Sequence, residues 1–294
     1  MWTGYHIALR LAGPLHVGWR TFGNIRQTRG YAPGRTMWGA FAARLARDYL
    51  NCDYQAAGQQ VNEFVRFGYY YPTQGAPDSG PDCWPWDDQI EEFTWRYLQS
   101  FMSTSLRDGR SKLDGSLHEV EYIAPFTREK KEVWMTGPLW VKDSETAVPA
   151  LMRDPKSLQA FLLRLAVGAD RGNGWGRFSD AHVCLLADGK PIPGTGWCWT
   201  ELSGNISMIN PHAKANLVAH LKIPIPSANS ASSAQVDLER WSLEPFVGRT
   251  TQAQGDSVSF GSGIPPAVIC AAPGSVAASG KCFSVGDLGI WGSI

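Results

Sequence analysis

Apolar and polar positions alternate near the start of the chain. Tyr5, Ile7, Leu9 and Leu11 face one way and His6, Ala8 and Arg10 the other, which predicts a first strand with one buried face. A Gly- and Arg-rich loop occupies 13–34 and is stopped by Pro33-Gly34. Trp38, Phe41, Leu45 and Tyr49 then recur at helical spacing, predicting a helix over about 36–50 with Arg44 and Arg47 off the apolar stripe. The run FVRFGYYY at 64–71 has strand composition and ends at Pro72. Segments 117–123 and 133–141 read as strands that pair as a hairpin around Arg128-Glu129-Lys130-Lys131. Asp154-Pro155 supplies an N-cap and a first-turn proline; Leu158, Phe161, Leu162 and Leu165 follow at helical spacing, and Gly168 suits a left-handed C-terminal cap. A Gly-rich turn leads into a closing strand at 178–186.

Strand, helix, strand, strand, helix, strand is the split order of a ferredoxin-like (RRM-like) βαββαβ domain, so the fold class expected is α+β. This domain is assigned to 1–186, with an insertion at about 72–94 that carries six acids and no basic residue. Its Trp84 and Trp86 suit either docking a partner or covering the insertion's own small core. From 187 to 294 the texture turns to Gly, Pro and Ser with short apolar runs, which reads as a smaller β-rich C-terminal domain. The two aromatic motifs of a conventional RNA-recognition module are absent, so the fold pattern alone points to no binding face.

Charge sharpens this picture. The 294 residues hold 27 basic and 27 acidic side chains, yet positions 1–47 contain seven Arg and no Asp or Glu. That local excess points to an anion site, and the exclusive use of Arg suits forked contacts to phosphate or carboxylate. No apolar run approaches the ~18 residues of a membrane span. The opening MWTGYHIALRLAGPLHVG lacks the pattern of a signal peptide, so a cytoplasmic protein is expected. Six widely spaced cysteines form no CxxC pair and are expected as buried thiols rather than disulfides or ligands.

The turn Gly172-Asn173-Gly174-Trp175-Gly176-Arg177 lets backbone N–H groups approach an anion, with Arg171 and Arg177 beside it to pair with phosphate. A tight turn needing positive φ explains the same glycines, and Trp175 is equally a core candidate. The order helix, glycines, strand is the reverse of a dinucleotide-binding loop. GSVAASGKC at 274–282 mis-spaces the glycines of a P-loop and places Cys282 where a magnesium-binding hydroxyl belongs. His118, Glu119 and Glu121 on one strand divide between its two faces, which argues against joint metal ligation. No metal or cofactor is expected. His16 and Tyr31 are compatible with acid and base of a metal-free ribonuclease, and His16 equally with a structural or RNA-contacting role.

Pro14-Leu15-His16-Val17-Gly18, the block YAPGRTMWGAF at 31–41 and the turn GNGWGRF at 172–178 together resemble the RAMP superfamily of CRISPR-associated proteins. FGYYYP at 67–72, AAPGSV at 271–276 and GIW at 289–291 look like further segments of it. The subunits that cap the crRNA 5′ end in type III effector complexes look most similar. The resemblance implies a non-catalytic crRNA-binding subunit that partners the crRNA, a large polymerase-like subunit and backbone subunits. Backbone subunits that cut target RNA carry an Asp in the loop after the first strand, and here no Asp precedes Asp48. The residues expected on RNA are His16, Arg20, Arg26, Arg29, Tyr31, Arg35, Arg171, Gly172, Gly174, Trp175, Gly176 and Arg177. The alternatives are a crRNA-processing endoribonuclease or a backbone subunit of the same superfamily and, outside CRISPR systems, a carbohydrate- or protein-binding module using its Trp residues.

Overall fold

The computed structural model describes all residues except 105, 108–110, 113–114, 145–151, 153, 212–213, 225–237 and 255–256. In chain order the first part runs β1 (Trp2–Leu11), β2 (Gly18–Phe22), β3 (Ile25–Thr28), α1 (Gly34–Tyr49), α2 (Tyr54–Phe64), β4 (Val65–Phe67), β5 (Tyr71–Thr73), α3 (Ile90–Tyr97), β6 (Leu98–Ser103), β7 (Leu106–Arg107), β8 (Ser111–Lys112), β9 (His118–Ile123), β10 (Trp134–Lys142), α4 (Pro155–Leu162) and β11 (Phe178–Leu186). The protein is a mixed α+β chain with several sheets.

The central sheet has the order β11-β1-β10-β4, with β5 also on β10, and every pairing is antiparallel. Two helices, α1 and α2, connect β1 to β4, and α4 connects β10 to β11. Helix α4 begins as its sequence dictates: Asp154 accepts hydrogen bonds from the Ser157 amide at 3.0 Å and the Ser157 hydroxyl at 2.9 Å. It ends at Leu162, ahead of Gly168, so that glycine is not its cap. Helix α2 escaped the periodicity; its signal is Asp53, whose carboxylate caps the amides of Gln55 and Ala56.

Three further expectations are corrected. Strand β1 is buried on both faces, His6 and Ala8 included, because α1, α2 and α4 cover one face and aromatic side chains cover the other. The strand expected at 64–71 is split into β4 and β5, and between them Tyr70 exchanges backbone hydrogen bonds with Ala32. Segments 117–123 and 133–141 do not pair: β10 joins the central sheet, while β9 lies between β3 and β6 in a separate sheet of order β2-β3-β9-β6.

The rest of the chain is made of short strands: β12 (Cys198–Leu202), β13 (Asn205–Ile209), β14 (Ala215–Asn216), β15 (Leu221–Lys222), β16 (Leu238–Arg240), β17 (Leu243–Phe246), β18 (Thr250–Gln254), β19 (Ser257–Gly263), β20 (Val268–Ala271), β21 (Val276–Ala277), β22 (Cys282–Val285) and β23 (Trp291–Ser293). Seven of them form a sheet of order β12-β13-β22-β23-β15-β20-β17. Their core is continuous with the first part: Trp2, Tyr31, Tyr69, Tyr71 and Trp140 cluster with Trp197, Trp199, Leu217, Phe283 and Trp291. The acidic insertion straps onto this region. Trp84 and Trp86 pack on Tyr71, Asp87 pairs with Arg240 at 2.7 Å, and the Cys184 thiol donates to Asp78 at 3.2 Å. The insertion therefore covers a shared core rather than one of its own. All six cysteines are free; only Cys83 and Cys270 are buried, and Cys52 is exposed. Among the described residues no helix is long and apolar enough to cross a membrane.

Candidate nucleic-acid interface

The Arg-rich loop divides into two environments. Its middle is the exposed β2–β3 hairpin, which carries Arg20 and Arg26; the Arg20 guanidinium lies 4.2 Å from the Trp19 ring centre. Its end turns inward. Arg29 is only 11% exposed and forms an ion pair with Glu244 at 2.6 Å, and it donates to the Tyr31 hydroxyl at 3.1 Å. Tyr31 stacks on Tyr69 and meets Tyr71 and His220 inside the aromatic cluster. Burial pushes its hydroxyl pKa up. Tyr31 is therefore not open for base stacking or proton transfer, and the charge of Arg29 is already matched. The expectation for Tyr31 fails because an aromatic layer closes over it, and Arg29 reaches the surface with its charge held by a carboxylate from a distant part of the chain.

Close polar contacts link the groups around Arg29. Tyr69 lies 2.7 Å from His220 Nδ1, and His220 Nε2 lies 3.2 Å from Glu244. Burial lowers the His220 pKa, which keeps the ring neutral at pH 7. Burial alone would raise the Glu244 pKa, but hydrogen bonds from His220 and Arg29 and the Arg29 charge bring it down to about 2.

A second group of arginines gathers elsewhere. Helix α1 turns Met37, Phe41 and Leu45 into the core, while Tyr49 is 51% exposed and Trp38 half-buried, so the buried stripe differs from the one expected. This setting places Arg44 and Arg47 on a groove that α1 shares with the segment after α4. The groove has two continuous parts. One, of about 810 Å³, lies between α1 residues Arg35, Thr36, Gly39 and Ala40, loop residues 17–19 and segment 245–249. The other, of about 550 Å³, is lined by Arg44, Arg47, Arg164, Arg171, Gly172 and Arg177, with Asp170 the sole acid on its lining among the described residues. Ala40, Ala166, Gly168, Ala169 and Arg171 belong to both. Small residues form the floor and arginines the rim, so a phosphodiester backbone can lie close to the chain and be clasped from its edges. Arg44 and Arg164 converge on Asp48, the Arg164 contact being 2.6 Å; among the described residues the Arg171 and Arg177 guanidiniums have no side-chain partner. Arg35 donates to the Arg249 carbonyl at 3.1 Å and lines the first part of the groove.

The glycine turn performs two tasks at different positions. Gly174 and Gly176 have φ of +85° and +67°. A Cβ on Gly176 would sit 1.8 Å from the Val167 carbonyl oxygen, whereas Gly172 and Gly174 face open space. The Gly176 amide donates to the Pro14 carbonyl at 2.8 Å, and the amides of Asn173 and Gly174 close onto Asp170 and Arg171. These three amides are spent within the fold and are not offered to an anion. What the turn supplies to the groove is Arg171, Gly172 and Arg177. Trp175 is half-buried and meets Tyr122 edge-on, with ring centres 5.3 Å apart. His16 is buried, with Nδ1 2.6 Å from the Glu121 carbonyl, and its own carbonyl accepts from the Ala169 amide. It fixes the loop to the groove floor rather than facing into the groove.

Of the expected residues, Arg35, Arg171, Gly172 and Arg177 thus meet in one groove, and Arg29, held in its ion pair, lines the first part of it. Arg20 and Arg26 stand on the hairpin, and His16, Tyr31 and Gly176 hold the structure around the groove. Arg44, Arg47 and Arg164 were missed as site residues; for the first two the signal was their position off the apolar stripe of α1. Among the described residues no cluster of three or more His, Cys, Asp or Glu side chains is placed to hold a metal ion.

No protein-family model and no curated protein matches the chain. Among solved structures, it is similar to a chain of a type III-B Cmr-beta complex bound to cognate target RNA and AMPPnP. That match has 10% identity and a TM-score of 0.47, covering 94% of this chain and 86% of that one. A chain from the Cmr-beta complex bound to cognate target RNA is similar at 13% identity and a TM-score of 0.42, covering 62% of this chain and 97% of the other. At these scores the likeness by itself assigns neither a family nor a role.

Proposed function

We propose that the protein is a non-catalytic crRNA-binding subunit of a type III CRISPR interference ribonucleoprotein, holding the backbone of the crRNA near its 5′ region in the α1 groove. The observation that carries this reading is the continuous small-residue floor edged by Arg35, Arg44, Arg47, Arg164, Arg171 and Arg177. The scattered sequence blocks that resemble the RAMP superfamily support it, and the groove is built from two of them, 31–41 and 172–178. The sheet order β11-β1-β10-β4, with helical connections after β1 and β10, supports a ferredoxin-like RAMP domain over 1–186 followed by a β-rich unit over 187–294. In this reading a large polymerase-like subunit and backbone subunits are the protein partners, and the complex is cytoplasmic.

The endoribonuclease alternative needs His16 or Tyr31 at a scissile phosphate. Tyr31 lies inside an aromatic cluster and His16 lies beneath the loop, which weighs against it. The test is a salt titration of binding to a single-stranded repeat-derived RNA. Removing one phosphate interaction should reduce the slope of log K against log salt by ~0.7. Arg44→Glu combined with Arg171→Glu should weaken binding and flatten the slope; an unchanged slope and affinity would remove RNA from the groove. Site-specific cleavage of the RNA that disappears in His16→Ala would establish the endoribonuclease instead.

A further inference from the structure

Away from the arginine groove, the acidic insertion builds an aromatic slot of about 210 Å³. Trp84 and Trp86 form one wall, stacked with ring centres 4.7 Å apart and planes 21° from parallel. Tyr71 meets both rings edge-on and fixes them from inside. Gly274, at φ +88°, backs Trp86 so closely that a Cβ there would lie 2.8 Å from the indole Cγ. The next residue in the insertion, Asp87, has the left-handed φ of +55° and is tied to Arg240 at 2.7 Å and to Asn216 at 3.4 Å. The pair is thus held rigidly, yet both indoles are only partly buried, and among the described residues neither indole N–H has a protein partner. Lys214, 65% exposed, stands at the rim in a surface pair with Glu239.

We propose that this slot takes one unstacked nucleobase of a single-stranded RNA, which adds a third ring to the Trp84–Trp86 stack while Lys214 meets the adjoining phosphate. The volume lies below the ~300 Å³ at which sites for drug-sized ligands begin, which suits a single base. Every base presents a π-face to an aromatic platform, so such a site is tolerant of sequence. An exposed Lys–Glu pair contributes little to stability, so Lys214 is free to exchange its carboxylate for a phosphate. Through the core the slot is also near the groove: steps of 5.8, 5.3 and 4.8 Å lead from the guanidinium of Arg29, which lines the groove, through the buried Tyr31 and Tyr71 to Trp84. The proposal rests on the reading of the chain as an RNA-binding subunit but uses none of the groove arginines.

The test uses the full chain labelled with 5-fluorotryptophan, with the two resonances assigned from Trp84→Phe and Trp86→Phe. Adenosine and uridine 5′-monophosphates and an oligouridylate should move both resonances saturably; maltotriose, an uncharged saccharide, should not. Trp84→Ala should weaken oligouridylate binding by about 5- to 100-fold without altering the salt slope, because it removes a stacking surface and leaves every phosphate interaction in place. Trp84→Phe should retain most of the affinity, which separates stacking from any folding defect of the Ala variant. Lys214→Glu should flatten the slope by about one phosphate interaction. If the oligouridylate binds with its full salt dependence yet leaves both resonances unmoved, the slot is refuted and the groove stands. If maltotriose moves them and nucleotides do not, the slot is a saccharide site and the proposal falls. If the wild-type chain binds no oligonucleotide, the RNA reading of groove and slot fails together.

Discussion

Gly172, Gly174 and Gly176 sit in one turn and make different demands on the chain, so replacing each by Ala separates backbone conformation from ligand binding. Gly176 has φ +67°, its Cβ position lies 1.8 Å from the Val167 carbonyl oxygen, its amide donates to the Pro14 carbonyl at 2.8 Å and its carbonyl accepts from the Val167 amide at 2.9 Å. An Ala there incurs about 1 kcal/mol for the left-handed backbone, and relief of the clash moves that backbone off two hydrogen bonds worth about 1 kcal/mol each. The expected loss is about 3 kcal/mol, or a fall in Tm of roughly 6–12 °C for a chain of this size. Gly174 shares the positive φ but faces open space, so Gly174→Ala should lose only about 1 kcal/mol. Gly172 has neither constraint, and Gly172→Ala should melt within about 0.5 kcal/mol of wild type. Thermal melts followed by circular dichroism give the order, and RNA titrations well below every Tm give the affinities. The Gly176 amide is used internally, so folded Gly176→Ala should bind RNA as wild type does, while Arg177→Ala should melt normally and bind less tightly. A Gly176→Ala protein with wild-type Tm and impaired RNA binding would refute this and restore the backbone-cradle reading.

Arg29→Ala should destabilise the fold by about 3–5 kcal/mol in urea titrations, since it leaves Glu244 buried without its cation, whereas Arg20→Ala on the exposed hairpin should change stability by less than about 0.5 kcal/mol. Stability should fall with acidification in two stages. Below the ordinary histidine pKa of 6.5 the unfolded chain takes up a proton that buried, neutral His220 does not. Between about 4.5 and 2 the unfolded Glu244 carboxylate protonates before the folded one, removing about 3 kcal/mol. Urea midpoints across pH check this, and Glu244→Gln should abolish the lower stage. Asp48→Asn should release Arg44 and Arg164 to the groove, tightening RNA binding and steepening its salt dependence in the same titration that tests the groove; weaker binding by the folded variant would show that Asp48 orients these arginines for RNA.

Local chemistry determined much of this protein from the sequence alone. The span of β11, the capped start of α4 at Asp154-Pro155, the beginning of α1 at Pro33-Gly34 and the positive φ of the glycine turn each depend on residues a few positions apart, where a cap, a fixed φ or an absent Cβ settles the conformation. The arginine surplus of the first 47 residues was equally legible, and so was the half of the groove that comes from Arg35, Arg171 and Arg177. Which arginines remain free was not. Arg29 meets Glu244 across most of the chain's length, and Arg44 and Arg164 share Asp48 from two separate segments, so the charge each presents depends on partners that only the packed chain brings together. Burial of Tyr31 and of both faces of β1 was likewise decided by an aromatic layer that Tyr69 and Tyr71 share with the C-terminal part of the chain. A strand's alternation reports only the face its own residues prefer; a second covering layer is a property of the assembled fold.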